Sequence, residues 1–84
     1  MNARLPFLLP VGTRVAHKTG TGGACYHDAG IVFQGDRPRF ILAAYTNDVP
    51  RALPDGTSGA AAAALLIARL ARTCWDALAD PAAA

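Results

Sequence analysis

Glutamate is absent from this 84-residue chain, so its acidic groups are six aspartates: Asp28, Asp36, Asp48, Asp55, Asp76 and Asp80. Lysine occurs once, at Lys18, and serine once, at Ser58. Two cysteines, Cys25 and Cys74, permit one disulfide but no disulfide framework, and leave the redox compartment open. The longest unbroken apolar run, Ala60 to Ala68, falls far short of the ~20 residues of a membrane helix, so no membrane association is expected. The net charge is only +2, and the seven arginines (Arg4, Arg14, Arg37, Arg39, Arg51, Arg69, Arg72) are scattered. Aromatics do not interleave them as base stacking requires, so no nucleic-acid partner is expected. Arg4 followed by Leu5-Pro6-Phe7-Leu8-Leu9 faintly imitates a signal peptide. Two prolines interrupt that run and no small-residue cleavage site follows, so no targeting role is expected and the localisation stays unknown.

What is present reads as globular: 52% hydrophobic and 17% charged residues, in a chain long enough for one thin core. Residues 1–12, punctuated by Pro6, Pro10 and Gly12, read as a connecting segment. From Thr13 to Thr19 the residues alternate, with Val15, His17 and Thr19 on one face and Arg14, Ala16 and Lys18 on the other, which predicts a strand. Gly20, Gly22 and Gly23 supply permissive backbone before a second strand running from Cys25–Asp28 into Ala29–Phe33. Gly35-Asp36-Arg37-Pro38 reads as a turn into a third strand, Arg39–Thr46, whose apolar run suggests burial on both faces. Residues 47–56, with Pro50, Pro54 and Asp55-Gly56, form a loop. A long helix is expected over 57–80, capped by Thr57 or Ser58, carrying Leu66, Ile67, Leu70, Cys74 and Leu78 as its apolar stripe and ended by Pro81.

The predicted fold class is therefore α+β: a three-stranded antiparallel meander over 13–46 followed by a long C-terminal helix. One helix covers only one face of such a sheet. The second face must meet something outside this chain, associate with another copy, or stand exposed, so residues 1–84 read as a single partial domain.

The chemistry concentrates at Val15-Ala16-His17-Lys18-Thr19-Gly20-Thr21-Gly22-Gly23. With Asp28-Ala29-Gly30-Ile31-Val32, Ile41-Leu42-Ala43-Ala44-Tyr45-Thr46 and a helix containing Ile67-Ala68-Arg69-Leu70 in that order, the chain resembles the C-terminal part of class A β-lactamases and related serine hydrolases of the penicillin-recognising superfamily. The resemblance runs roughly from Leu9 to Leu78. It implies that Lys18 gives positive charge beside the nucleophile and the substrate carboxylate, and that the Thr19 hydroxyl hydrogen-bonds that carboxylate. It further implies that Gly20 lets substrate lie against the strand and that Thr21 offers its backbone N–H to the oxyanion. Lys18 and Thr21 are thus the expected catalytic residues, and Thr19, Gly20 and His27 the expected substrate-binding ones. The substrate would be a small molecule, a β-lactam or related amide, and no cofactor or metal is expected.

The family nucleophile sits in Ser-x-x-Lys, whereas Ser58 is followed by Gly59-Ala60-Ala61, and neither Ser-Asp-Asn nor any glutamate occurs. The isolated chain should be inactive. His27 falls where many class A enzymes carry an arginine, and histidine is only partly charged at neutral pH, so a broader serine hydrolase also fits. A small non-catalytic α/β interaction module is the alternative of a different kind.

Plainer roles suit the remaining residues. His17 lies opposite Lys18 by strand parity and suits a buried, hydrogen-bonded core histidine. Cys25, His27 and Asp28 lack the fourth ligand and spacing of a zinc site. Cys74 suits a small buried hydrophobe and Trp75 a cover for the sheet or a neighbouring helix, while Arg69, Arg72 and Asp76 read as ordinary helix surface.

Overall fold

The computed structural model describes residues 4–81. Three strands, β1 (Val15–Gly22), β2 (Cys25–Gln34) and β3 (Arg37–Thr46), precede one helix, α1 (Gly59–Leu78). The strands form an antiparallel sheet in the order β1-β2-β3, so the α+β architecture read from the sequence holds. β1 pairs with β2 from Val15↔Val32 to Gly22↔Cys25, and β2 with β3 from Tyr26↔Thr46 to Gln34↔Arg37, with a register shift between Val32 and Phe33.

Both hairpins close through two residues, and the first is a glycine in the left-handed region: Gly23 (φ 57°) before Ala24, and Gly35 (φ 62°) before Asp36. Such tight loops match the right-handed twist of the strands they join, and only glycine enters this conformation without strain. The glycines after Lys18 therefore do not end β1, which runs to Gly22 rather than Thr19. The second turn is tighter than expected as well, since Arg37 and Pro38 already belong to β3. Proline is tolerated there because it starts an outer strand.

α1 begins where the Ser58 hydroxyl accepts the Ala61 N–H (3.3 Å), and Ala79, with extended backbone, ends it. Gly59 carries no side chain for a steric reason: a Cβ there would run into the Pro50 carbonyl. Beyond the helix, the Gln34 amide donates to the Asp80 carbonyl (2.7 Å) and accepts the Asp80 N–H (2.8 Å), tying the end of β2 to the chain terminus.

The helix buries a different stripe from the one its leucines suggested. Gly59, Ala63, Ile67, Ala68 and Ala71 are buried, whereas Leu66, Leu70 and Leu78 are exposed, at 53%, 43% and 51%. Gly59, Ala63 and Ala71, at i, i+4 and i+12 with Ile67 between them, let the helix axis approach the sheet closely, and the leucines turn outward. Trp75 packs against this core, as a cover for the sheet.

The other half of the core comes from the stretch read as a connector. Leu5 and Leu9 are buried beside Val32, Ala44, Ile67 and Ala71, with Val15, Phe40 and Leu42 packed around them. Two tight turns, Phe7 N–H to the Arg4 carbonyl and Leu9 N–H to the Pro6 carbonyl (both 3.1 Å), fold the segment under the sheet. Arg72 reaches the Leu8 carbonyl (3.3 Å) from the helix. Among the described residues the opposite sheet face has no such cover: Ile41 and Tyr45 of β3 are 78% and 71% exposed.

Candidate functional site

β1 is an outer strand, and its hydrogen-bonding phase decides which of its groups are free to meet a ligand. The Phe33 N–H donates to the Arg14 carbonyl (2.9 Å), which marks that pair as a hydrogen-bonded one. Alternation then places Ala16, Lys18, Gly20 and Gly22 in bonded pairs with β2. Val15, His17, Thr19 and Thr21 direct their N–H and C=O groups to the open edge. The second ladder agrees, because Tyr26, opposite Thr21, turns its own N–H and C=O towards β3, where the Thr46 hydroxyl meets both.

Side chains follow the same alternation across the two faces. Lys18, Gly20 and His27 share the open face, while His17, Thr19, Thr21 and Asp28 belong to the covered one. The five residues expected to form the site are thus adjacent in the sheet but divided between its faces. Of these, the edge gathers the Lys18 ammonium and the outward backbone groups of Thr19 and Thr21. The exposed Lys18 ammonium curls around it and donates to the Thr19 carbonyl (2.7 Å). That carbonyl is next to the Thr21 N–H along the same edge, so a cation and a free backbone donor stand side by side.

His27 fills the space above Gly20. A Cβ on Gly20 would coincide with the imidazole around Nε2, so the missing side chain makes room for His27 rather than for bare backbone. The ring also lies against Tyr45, with centroids 5.0 Å apart and planes tilted by 42°. His27 thereby holds its nitrogens beside the strand that carries Lys18.

The covered face contains a polar network that sequence reasoning missed. Asp28, fully buried, holds His17 Nδ1 with both carboxylate oxygens (2.9 Å each) and accepts the Leu5 N–H (3.0 Å). His17 is the hydrogen-bonded core histidine expected of its strand parity. Arg4, only 7% exposed, donates through one Nη to the Gly20 carbonyl (2.8 Å) and the His27 carbonyl (2.9 Å), and through the other to the Thr21 hydroxyl (2.6 Å). Its guanidinium also faces the Tyr26 ring at 5.5 Å. The one available signal was an arginine heading an otherwise apolar run.

Parity separates Cys25 and His27 from Asp28, and the Cys25 thiol donates to Asn47 (3.0 Å). Among the described residues no three His, Cys, Asp or Glu side chains gather as metal ligands would. The Ser58 hydroxyl is engaged at the start of α1, where it accepts the Ala61 N–H. The arrangement can therefore bind and polarise a carbonyl or carboxylate at the edge of β1.

A family model described as the β-lactamase enzyme family matches residues 1–78. No curated protein and no solved structure matches the chain.

Proposed function

Since the chain belongs to the β-lactamase enzyme family, we propose that it forms one wall of a class A-like serine hydrolase site and acts on β-lactams or related amides. A serine supplied by sequence beyond these 84 residues attacks the substrate carbonyl. The carbonyl π electrons move onto oxygen, and the Thr21 N–H on the open edge donates to that oxyanion. One such donor is worth about 3 to 4 kcal/mol of barrier. The amide C–N bond then breaks, the nitrogen leaves with a proton, and water hydrolyses the acyl-serine.

Lys18 and Thr19 hold the substrate carboxylate. Their side chains leave β1 from opposite faces, so the ligand they share must lie along the edge, where the Lys18 ammonium already sits. His27 takes a binding role beside Gly20. The observation that carries this reading is the juxtaposition of the Lys18 ammonium with the outward Thr21 N–H on an unpaired strand edge.

The 84-residue chain should not turn over nitrocefin. Turnover that disappears in Lys18→Ala would overturn the assignment of the nucleophile to other sequence, and an upstream reading frame with no Ser-x-x-Lys would sink the full-length version. The exposed Ile41–Tyr45 face favours a second reading, a non-catalytic module that binds a partner or another copy through the sheet. A cooperative melt and a single sharp peak on a sizing column would support that module. Aggregation or molten behaviour would support a dependent piece of a larger domain.

A further inference from the structure

From the three hydrogen bonds of the buried Arg4 side chain, we infer that Arg4 is a positioning residue that polarises the Gly20–Thr21 peptide and so strengthens the Thr21 N–H as a donor. This rests on the reading of Thr21 as the oxyanion donor and adds the group that tunes it.

The Gly20 carbonyl and the Thr21 N–H belong to one trans peptide unit, and they point in opposite directions across β1. The carbonyl faces β2 and accepts from Arg4 at 2.8 Å; the N–H faces the open edge. A cationic donor on the oxygen draws electron density along the conjugated O–C–N system and leaves the N–H more positive. The effect is strong because the guanidinium is almost wholly buried, where such bonds are least screened. Its acceptors in these bonds are neutral, two carbonyls and a hydroxyl, so no carboxylate among them absorbs the charge. The bond to the Thr21 hydroxyl fixes that side chain, and the bond to the His27 carbonyl secures the opposite strand at the same point.

Hydrogen exchange separates polarisation from simple bracing, because the two predict opposite signs. The Thr21 N–H lies on an open edge, so its hydroxide-catalysed exchange reports its acidity. If Arg4 polarises the peptide, Arg4→Met slows Thr21 exchange by on the order of tenfold, the scale of a lost hydrogen bond to a charged group. If Arg4 only braces the strand, its loss loosens the edge and exchange accelerates. Thr19, whose preceding carbonyl Arg4 does not touch, serves as the control, and Arg4→Lys should restore part of the rate. Should Arg4→Met fail to fold, the Lys18→Met chain supplies the comparison without disturbing Arg4. There, with the nearby ammonium gone, Thr21 should still exchange about tenfold faster than Thr19 after correction for neighbouring residues. Equal rates in that chain, or acceleration in Arg4→Met, would overturn the inference. A benzylpenicillin titration followed at the same amides isolates the underlying reading. Polarisation without any Thr21 response to the ligand removes the oxyanion assignment and leaves the effect of Arg4 intact. A Thr21 response with ordinary exchange does the reverse.

Discussion

Replacing Gly20 and Gly30 with alanine, one at a time, should give very different outcomes, although both glycines lie inside the same three strands. At Gly20 the atoms nearest the new Cβ all belong to the His27 imidazole. The ring can rotate away at the expense of its contact with Tyr45, an aromatic pair worth about 0.5 to 1.5 kcal/mol. The lower chain entropy of alanine in a strand returns roughly 0.5 to 1 kcal/mol. The net cost is about 1 kcal/mol or less. At Gly30 the Cβ would stand 2.7 Å from the Ala16 carbonyl and 2.6 Å from His17 Cβ, with His17 Cα at 3.0 Å. Those atoms belong to the β1 backbone or are fixed to it, so the strands must separate, and the cost is about 3 kcal/mol or more, the upper end of overpacking. With roughly 4 to 8 °C per kcal/mol in a chain of this size, Gly20→Ala should lower Tm by under about 8 °C and Gly30→Ala by over about 12 °C. Thermal melts followed by circular dichroism read this directly. Adding His27→Ala should remove most of the cost of Gly20→Ala and none of the cost of Gly30→Ala. Equal losses at the two glycines, or no relief from His27→Ala, would refute the packing described here.

The remaining predictions test the core, the edge and the loop. Ile67→Ala should cost about 2 to 5 kcal/mol in urea unfolding, whereas Leu70→Ala on the outer helix face should stay below about 1 kcal/mol; the reverse order would restore the leucine stripe. Asp28→Asn should cost about 1 to 3 kcal/mol, because the amide cannot serve the Leu5 N–H and His17 as the carboxylate does. Lys18→Ala should leave stability within about 0.5 kcal/mol while weakening the benzylpenicillin-induced shift at the Thr21 amide; an unchanged shift would dismiss Lys18 from binding. The hydrogen bonds from the Thr57 backbone and hydroxyl hold the Asp55 carboxyl below its ordinary value of 3.8. Its contribution to stability is thus present above the ordinary value and fades as pH falls through the lower, folded one. An NMR titration of Asp55 should have its midpoint below 3.8 and move up in Thr57→Val.

The first strand and the helix were legible from their periods, and the second and third strands from β-branched and apolar runs set between turn residues. Three features were not. The burial of Leu5 and Leu9 depends on turns closed by the Arg4 and Pro6 carbonyls, which a stretch interrupted by prolines does not announce. Hydropathy favoured Leu66 and Leu70, but close approach between helix and sheet selects Ala63 and Ala71, a criterion set by distance and invisible to periodicity. Gly20 was read as bare backbone awaiting substrate, whereas the register with His27 fills that space from the neighbouring strand.

The division of the candidate residues between two faces lets so thin a sheet pack a core on one side and leave the edge of β1 exposed. On the covered face, Arg4 holds the Thr21 hydroxyl and the carbonyls of Gly20 and His27, and Asp28 holds the Leu5 N–H and His17. On the open face, Lys18 and His27 keep their charge-bearing atoms near solvent. The two sets meet through the backbone, at the Gly20 carbonyl of β1 and the His27 carbonyl of β2. Variants of the buried set should therefore alter ligand binding through the Thr21 N–H, and variants of the open set should alter it through charge and shape. Arg4→Lys combined with Lys18→Ala separates these routes: independent effects on benzylpenicillin-induced shifts should multiply. A loss in the double variant no greater than in Lys18→Ala alone would mean that Arg4 acts only through the placement of Lys18, and the peptide would not be the conduit.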